Sequence, residues 1–234
     1  MKFSGLPIRF VLFALALCAA GLAAGAAQAE RIVILGDSLS DAYGMPREAG
    51  WVHRLDARLG ERHEVIDGAI SGDTSAGAAS RIDGLLAAHQ PQVLIVILGG
   101  NDGLRGLPPA ALERNLANVI ERGQAAGAEV ALMQIRLPPN LGPTYIERFE
   151  AVYPELAERY GIELIPFFLE DLFQEPGMLM DDGIHPTEAA QDDIVAFMEP
   201  HVRGMVGDRA EPDDSDPSAT PRRPTPDSDA APAP

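Results

Sequence analysis

Short stretches in this 234-residue chain carry the side chains that acyl transfer requires. Ser38 offers a hydroxyl nucleophile, Asn101 offers an amide donor, and Gly72 lies in a glycine-punctuated loop whose backbone can approach a ligand closely. Asp182 and His185 stand three residues apart, so that the carboxylate can reach the imidazole within a compact turn. A hydroxyl beside a base that is oriented by a carboxylate is the arrangement that attacks an acyl carbon in serine hydrolases.

Each of these residues also has an ordinary structural interpretation. Ser38 could cap the start of a helix with help from Asp37, and Thr74 could cap the next helix in the same way. Asn101 could occupy a left-handed turn, and His185 could be incidental to an acidic surface loop. Single residues therefore do not decide between the two interpretations, and the elements that position them must be considered.

Apolar, β-rich segments alternate with segments of helical periodicity along most of the chain. The run 93–98 is apolar throughout, which indicates a strand that is buried on both faces, as in a parallel sheet. Alternation of this kind predicts a three-layer α/β/α fold, and right-handed crossovers leave few ways to wind it. We predict five parallel strands in the flavodoxin-like order 2-1-3-4-5. The strands are expected at 32–35, 64–66, 93–98, 130–135 and 163–165, and the helices at 51–59, 76–89, 109–127, 145–160 and 188–205.

Two prolines fall inside these predicted helices. Pro154 is expected to kink or split the helix 145–160, and Pro200 to interrupt the helix 188–205, because proline removes a backbone donor and clashes with the preceding turn.

The candidate residues lie in loops at one edge of the predicted sheet. Ser38 follows the first strand, and Gly36 lets the chain turn sharply between them. The loops that contain Gly72 and Asn101 follow the second and third strands, and the Asp182 loop comes late in the chain. Ligands of open α/β sheets bind at the carboxyl ends of the strands, so this edge is the expected site.

The composition argues against some classes of binding partner. The chain has 18 Lys and Arg against 35 Asp and Glu, a formal charge of −17. Such a charge argues against nucleic acid, which requires a basic footprint, and disfavours attachment to anionic lipid surfaces. The apolar content of 46% is ordinary for a globular domain. We find no Cys/His cluster with metal-ligand spacing and no cofactor motif, so we expect neither a metal nor a cofactor.

The first 29 residues have the order of a secretory signal peptide. Lys2 and Arg9 give a positive start, the run 10–24 is apolar, and Ala27-Gln28-Ala29 offers a cleavage site. An uncleaved membrane anchor is the alternative, although the apolar run is short for a span. Cleavage after Ala29 would direct the protein to the periplasm or outside the cell.

The two ends of the chain bound the folded part. Cys18 lies in the predicted signal, so the mature protein would contain no disulfide and no thiol nucleophile. From residue 207 to 234 the chain is rich in Asp, Pro, Ser and Ala, which predicts a disordered acidic tail. The folded domain is therefore expected at 30–206.

Four blocks of the chain contain the candidate residues, namely Gly36-Asp37-Ser38-Leu39-Ser40, Ile70-Ser71-Gly72-Asp73-Thr74, Gly99-Gly100-Asn101-Asp102 and Asp182-Gly183-Ile184-His185-Pro186. In order and spacing these blocks resemble the motifs of the GDSL, or SGNH, hydrolases. Longer strings, 98–106, 133–138 and 166–168, are most similar to the bacterial periplasmic group of acyl-CoA thioesterases, arylesterases and lysophospholipases. The resemblance covers nearly the whole domain.

The resemblance implies a role for each matching residue. Ser38 would be the nucleophile, His185 its base and Asp182 the carboxylate that orients His185. The oxyanion hole would consist of the backbone N–H groups of Ser38 and Gly72 and the side-chain amide of Asn101. Asp67 departs from the pattern, since that group usually has Asn there, which affects the hydrogen bonding of the loop rather than the mechanism.

The resemblance implies a serine esterase or thioesterase that hydrolyses aryl, fatty-acyl or lysophospholipid esters and acyl thioesters. Its partner would be a small-molecule substrate, and we expect a monomer that does not stay inserted in a membrane. An acyltransferase or a carbohydrate deacetylase could use the same residues. A lipid-binding protein without catalysis is a third alternative, which the combination of a base and a hydroxyl disfavours.

Overall fold

Five short apolar segments pair into a parallel sheet in the computed structural model, which describes residues 29–170, 172 and 175–207. The strands are β1 (Glu30–Gly36), β2 (His63–Asp67), β3 (Val93–Ile97), β4 (Glu129–Met133) and β5 (Glu163–Ile165). The sheet order is β2-β1-β3-β4-β5, with parallel pairing between all neighbours, so the predicted fold and strand order are confirmed. Of the predicted tail, residues 208–234 lie outside the described residues, as does nearly all of the predicted signal.

Helices cover both faces of the sheet. The helices are α1 (Trp51–Leu59), α2 (Ser75–His89), α3 (Gly100–Leu104), α4 (Pro109–Ala125), α5 (Pro143–Glu150), α6 (Val152–Tyr160) and α7 (Gln191–Met205). Right-handed crossovers place α1, which connects β1 to β2, on one face of the sheet, and they place the helices of the later crossovers on the other face. Accordingly α1 packs against α7, and α2 packs against α4.

The central strands form the middle of the core. All five residues of β3 are buried, as the unbroken apolar run predicts, and so are the last five residues of β1. Each fully buried aliphatic side chain contributes about 1.5–3 kcal/mol relative to exposure. The loops at the carboxyl edge are thus anchored to the most deeply buried strands, which holds them in fixed positions.

The two prolines act differently. The predicted helix 145–160 is divided at Ala151 into α5 and α6, and Pro154 lies in the first turn of α6, where no backbone N–H is needed. Pro200 does not interrupt α7, contrary to the prediction. Pro200 and Ala196 are both exposed, so water can bond the carbonyl that the proline ring leaves without an amide partner.

No helix in residues 29–170, 172 and 175–207 is long and apolar enough to cross a membrane.

Candidate active site

A tight turn directly after β1 presents Ser38 at the carboxyl edge of the sheet. The carbonyl of Asp37 accepts the N–H groups of Ser40 and Asp41 at 3.0 and 3.1 Å. The Asp37 side chain accepts the N–H of Leu39 at 3.1 Å, so one residue closes the turn from both sides. A Cβ at Gly36 would lie 2.7 Å from the Ser40 hydroxyl, which is why glycine precedes the turn.

The structure brings Ser38, His185 and Asp182 together although 147 residues separate the serine from the histidine. The Ser38 hydroxyl and Nε2 of His185 are 2.8 Å apart. Nδ1 of His185 lies 2.7 Å from a carboxylate oxygen of Asp182. With Nδ1 donating to Asp182, Nε2 is left as the acceptor that can take the serine proton.

The loop that carries His185 is built around the Asp182 carboxylate. Its second oxygen, Oδ1, accepts the backbone N–H groups of Ile184 and His185 at 2.9 and 3.0 Å. The carbonyl of His185 accepts the N–H of Met180 at 2.8 Å, which closes the loop from the other side. Partial burial raises the pKa of Asp182, but the hydrogen bonds from the His185 ring and from the two backbone groups outweigh it and hold this pKa at about 2.

Three hydrogen-bond donors are available near Ser38. Within the described part of the chain, the backbone N–H groups of Ser38 and Gly72 donate no intramolecular hydrogen bond. Gly72 adopts a positive φ of 79°, which only glycine tolerates easily. Asn101 lies in α3, a five-residue helix where the sequence predicts only a turn. A Cβ at Gly99 would meet the Tyr153 hydroxyl, so glycine is needed before this helix.

Two charged residues to which the sequence assigned no role tie these loops together. The Arg105 guanidinium donates to the carbonyl of Gly72 at 3.0 Å, which links the end of α3 to the Gly72 loop. The buried Asp102 carboxylate accepts the backbone N–H and the hydroxyl of Ser75 at the start of α2. Both residues follow Asn101 within four positions, and this closeness to Asn101 in the sequence is the signal that could have identified them.

Asp37 connects the turn that carries Ser38 to Asn101. Its Oδ2 accepts the Asn101 amide at 3.2 Å, and its side chain is almost fully buried. Burial raises the pKa of Asp37 to about 6, against the opposing effects of the Leu39 and Asn101 hydrogen bonds and the charge of His185. One amide hydrogen of Asn101 is therefore occupied by Asp37, and the other is free to point toward a ligand.

We expect Asp37→Asn to lower kcat for the proposed acyl-transfer reaction by about 10- to 100-fold. This fall in kcat is smaller than the one expected when a hydrogen-bond donor to the oxyanion is removed altogether. The new amide can keep the Leu39 bond through its oxygen, but its NH₂ then faces the NH₂ of Asn101. The orientation of Asn101 is lost as a result. Steady-state kinetics on a soluble ester measure the effect, and an unchanged kcat would contradict it.

The same variant has a predicted pH signature in stability. The folded pKa of Asp37, about 6, lies above the value of about 3.9 for an unfolded Asp. The folded state then binds more protons, so Asp37 makes wild-type stability fall as the pH rises from about 4 to 6. Urea unfolding should show Asp37→Asn gaining stability relative to wild type across that window. A constant difference would exclude a raised pKa.

A cavity of about 660 Å³ is lined by Asp182 and by Leu39 and Gly100, the neighbours of Ser38 and Asn101 in the chain. Its apolar lining includes Leu39, Leu104, Leu137, Phe167 and Ile184. Arg136 lies at this cavity with its charge paired to Glu150 and Glu170. The mostly apolar lining suits this cavity to a hydrocarbon chain.

The side chains of Tyr43 and Asp67 make further contacts around Ser38 and His185. The ring of Tyr43 stacks on the imidazole of His185 with centroids 4.0 Å apart. Asp67 accepts the N–H of Ala69 at 3.0 Å and pairs with Arg47 at 2.9 Å, so the carboxylate supports its loop with an ion pair.

Within the described ranges, no group of three His, Cys, Asp or Glu is placed to hold a metal ion.

Comparison with known proteins identifies the family. The profile of the GDSL-like lipase/acylhydrolase family matches residues 34–192, which include all of the blocks described above. The chain belongs to this family. The resemblance drawn from the four blocks is thereby confirmed.

Individual family members are similar over most of the domain. Esterase TesA of Pseudomonas aeruginosa is 43% identical over 183 residues, 77% of this chain and 91% of that protein. Thioesterase 1/protease 1/lysophospholipase L1 of Escherichia coli K12 is 44% identical over 181 residues, 77% of this chain and 87% of that protein. The esterase EstA of a Pseudoalteromonas species, in a structure inhibited by monoethylphosphonate, has a TM-score of 0.73 at 36% identity, covering 76% of this chain and 99% of that one.

Proposed function

We propose that this GDSL family member hydrolyses carboxylic esters and acyl thioesters through an acyl-enzyme on Ser38. The observation that carries the proposal is the continuous chain of contacts from the Ser38 hydroxyl through His185 to Asp182, at 2.8 and 2.7 Å. The names of the relatives, which include an esterase and a thioesterase, support the same reaction class.

The proposed mechanism uses each of these groups in turn. His185 takes the proton of Ser38 as the hydroxyl attacks the acyl carbon, and Asp182 stabilises the imidazolium that forms. The oxyanion is held by the N–H groups of Ser38 and Gly72 and by the Asn101 amide. His185 then protonates the leaving alcohol or thiol. Water, activated by the same imidazole, releases the carboxylic acid and restores Ser38.

The cavity favours substrates with an acyl chain longer than acetyl. Its volume of about 660 Å³ exceeds what an acetyl group fills, and its lining is mostly apolar. This observation argues against the carbohydrate deacetylase alternative and agrees with relatives named lysophospholipase and arylesterase. We propose aryl, fatty-acyl or lysophospholipid esters and acyl thioesters as the substrate class, acted on by a monomer in the periplasm or outside the cell.

A labelling experiment tests the nucleophile and the enzyme class together. A serine-reactive organophosphonate should add one label to the purified protein, and mass spectrometry should place it on Ser38. A series of p-nitrophenyl esters from acetyl to palmitoyl then measures the chain preference. A lipid-binding protein would remain unlabelled and would bind the esters without turnover, which would refute the proposal.

Acyl transfer to an alcohol is the competing outcome at the same site. Both reactions share the acyl-enzyme, so they differ only in the acceptor that attacks it. Product analysis with and without added glycerol or glucose separates them. Free acid as the main product in both conditions supports hydrolysis.

We expect Asn101→Ala to lower kcat by about 100-fold or more with little change in KM, because the amide acts on the charge that develops in the transition state. Asn118→Ala, in α4 and away from the sheet edge, serves as the matched control and should keep full activity. A change in KM alone would contradict the oxyanion role. A thermal melt of both variants shows whether loss of the Asp37 contact affects the fold.

A further inference from the structure

The aromatic ring of Tyr43 lies flat against the imidazole of His185. The ring centroids are 4.0 Å apart and the planes are inclined by 24°. The side chain is 45% exposed, so burial in the core does not explain its position. Tyr43 is one of three large hydrophobic side chains exposed within the described residues, the others being Ile70 and Leu104.

The backbone around Tyr43 is held in a special conformation. Ala42 has a φ of 45°, a left-handed value that is uncommon for a residue with a side chain. Gly44 follows with a φ of 75°, and a Cβ at this position would lie 3.1 Å from Cε of Met180, which precedes the histidine loop. Asp41 anchors the segment by accepting the N–H of Ser71 at 2.9 Å. Strained backbone that is retained beside an active site points to a role for the side chain it presents.

We propose that Tyr43 is a positioning residue that fixes the His185 ring and stabilises its protonated form during acyl transfer. The inference rests on the proposed function, in which His185 is the base. The face of an aromatic ring attracts a cation, and in the proposed reaction neutral His185 becomes an imidazolium as it takes the serine proton. The stack therefore stabilises the transition state more than the ground state, and its loss should appear in kcat.

The other groups around His185 occupy different positions. Asp182 contacts Nδ1 and Ser38 contacts Nε2 through hydrogen bonds. The buried Asp37, in the turn that carries Ser38, interacts with His185 only through its charge. Asp181, next to Asp182, is exposed. None of these makes a ring contact, so the effect of the Tyr43 ring can be separated from theirs by changing the ring alone.

The first test measures the protonation of His185 directly. NMR titration of the His185 ring in a Ser38→Ala background needs no turnover and remains valid even if the protein proves not to be a hydrolase. Tyr43→Leu should lower the pKa of His185 by about 0.5 unit, whereas Tyr43→Phe should leave it unchanged and Tyr43→Trp should match or exceed wild type. An unchanged pKa in Tyr43→Leu would overturn the proposal.

The second test follows the reaction in the chain with Ser38 intact. Tyr43→Leu should lower kcat on a soluble p-nitrophenyl ester by about 2- to 5-fold, and the acidic limb of the pH profile of kcat/KM should move down with the pKa. Tyr160→Leu, at the end of α6, is the matched control and should change neither quantity. A loss of rate with an unmoved pH profile would show that Tyr43 only supports the fold.

A series of unnatural amino acids at position 43 tests the same proposal if Tyr43→Leu does not fold. Phenylalanine and its increasingly fluorinated analogues at position 43 keep the shape of the ring while they weaken the negative charge of its face. The pKa of His185 should fall stepwise with fluorination. A pKa that does not respond to fluorination would exclude the electrostatic role.

Discussion

Replacing Ser38 with alanine is expected to lower kcat for ester hydrolysis by between about 10⁴- and 10⁶-fold and to leave the fold intact. The hydroxyl is the atom that would form the acyl-enzyme, so no other group of the site can take its place. The turn that holds Ser38 depends on the Asp37 side chain and on backbone groups, none of which the substitution removes. The small rate that remains would come from the oxyanion donors acting on a water molecule.

Ser40→Ala is the matched control for this prediction. Ser40 lies in the same turn, two residues along the chain, and its buried hydroxyl has no hydrogen-bond partner. Its removal should leave kcat unchanged. Initial rates on p-nitrophenyl butyrate and melting temperatures of the three proteins make the comparison. Turnover by Ser38→Ala above about 1% of wild type would exclude Ser38 as the nucleophile.

The sheet could be predicted from the sequence because its signal is local. Unbroken apolar runs such as 93–98 identify buried parallel strands, and handedness rules restrict their order. Glycines at 36 and 99 mark where the chain must turn closely past other atoms. The candidate residues then follow from their positions after the strands, which is why the structure brings Ser38 and His185 together as the blocks imply.

Other features could not be predicted because they depend on contacts between distant segments. Arg105 belongs to a loop in the sequence-based prediction, and only the fold shows that it donates to the Gly72 carbonyl. Tyr43 has no signal of its own, because its stacking partner lies 142 residues later in the chain (185 − 43). Pro200 lies inside a helix, where proline is usually unfavourable, because at this exposed position water can bond the carbonyl that lacks an amide partner. Contacts between distant segments decided the first two cases, and solvent exposure decided the third.

The proposed oxyanion donors are held from several sides by other groups of the protein. Asp37 orients Asn101, and Arg105 links the end of the Asn101 helix to the Gly72 loop. Donors that are fixed in advance need no reorganisation when charge develops, which is the main source of electrostatic catalysis. The buried and charged side chains around Ser38 are thus explained by the geometry that the proposed reaction requires.

We expect Asp182→Asn to lower kcat by about 10⁴-fold through the tautomer of His185. The structure determines how the new amide must lie. The N–H groups of Ile184 and His185 bond Oδ1 of Asp182 at 2.9 and 3.0 Å, so the oxygen of the substituted amide would stay with them. Its NH₂ would then face Nδ1 of the imidazole, where Oδ2 now lies at 2.7 Å. Nδ1 would become the acceptor and Nε2 would carry the proton.

With a proton on Nε2, His185 cannot take another from the Ser38 hydroxyl at 2.8 Å, and the attack fails although every side chain keeps its place. Asp181→Asn is the matched control, since Asp181 is the adjacent, exposed acid. It removes the same charge without touching the imidazole, and its kcat should remain that of wild type. An equal loss of rate in the two variants would show that Asp182 acts only through its charge, and an undiminished rate in Asp182→Asn would remove it from the triad.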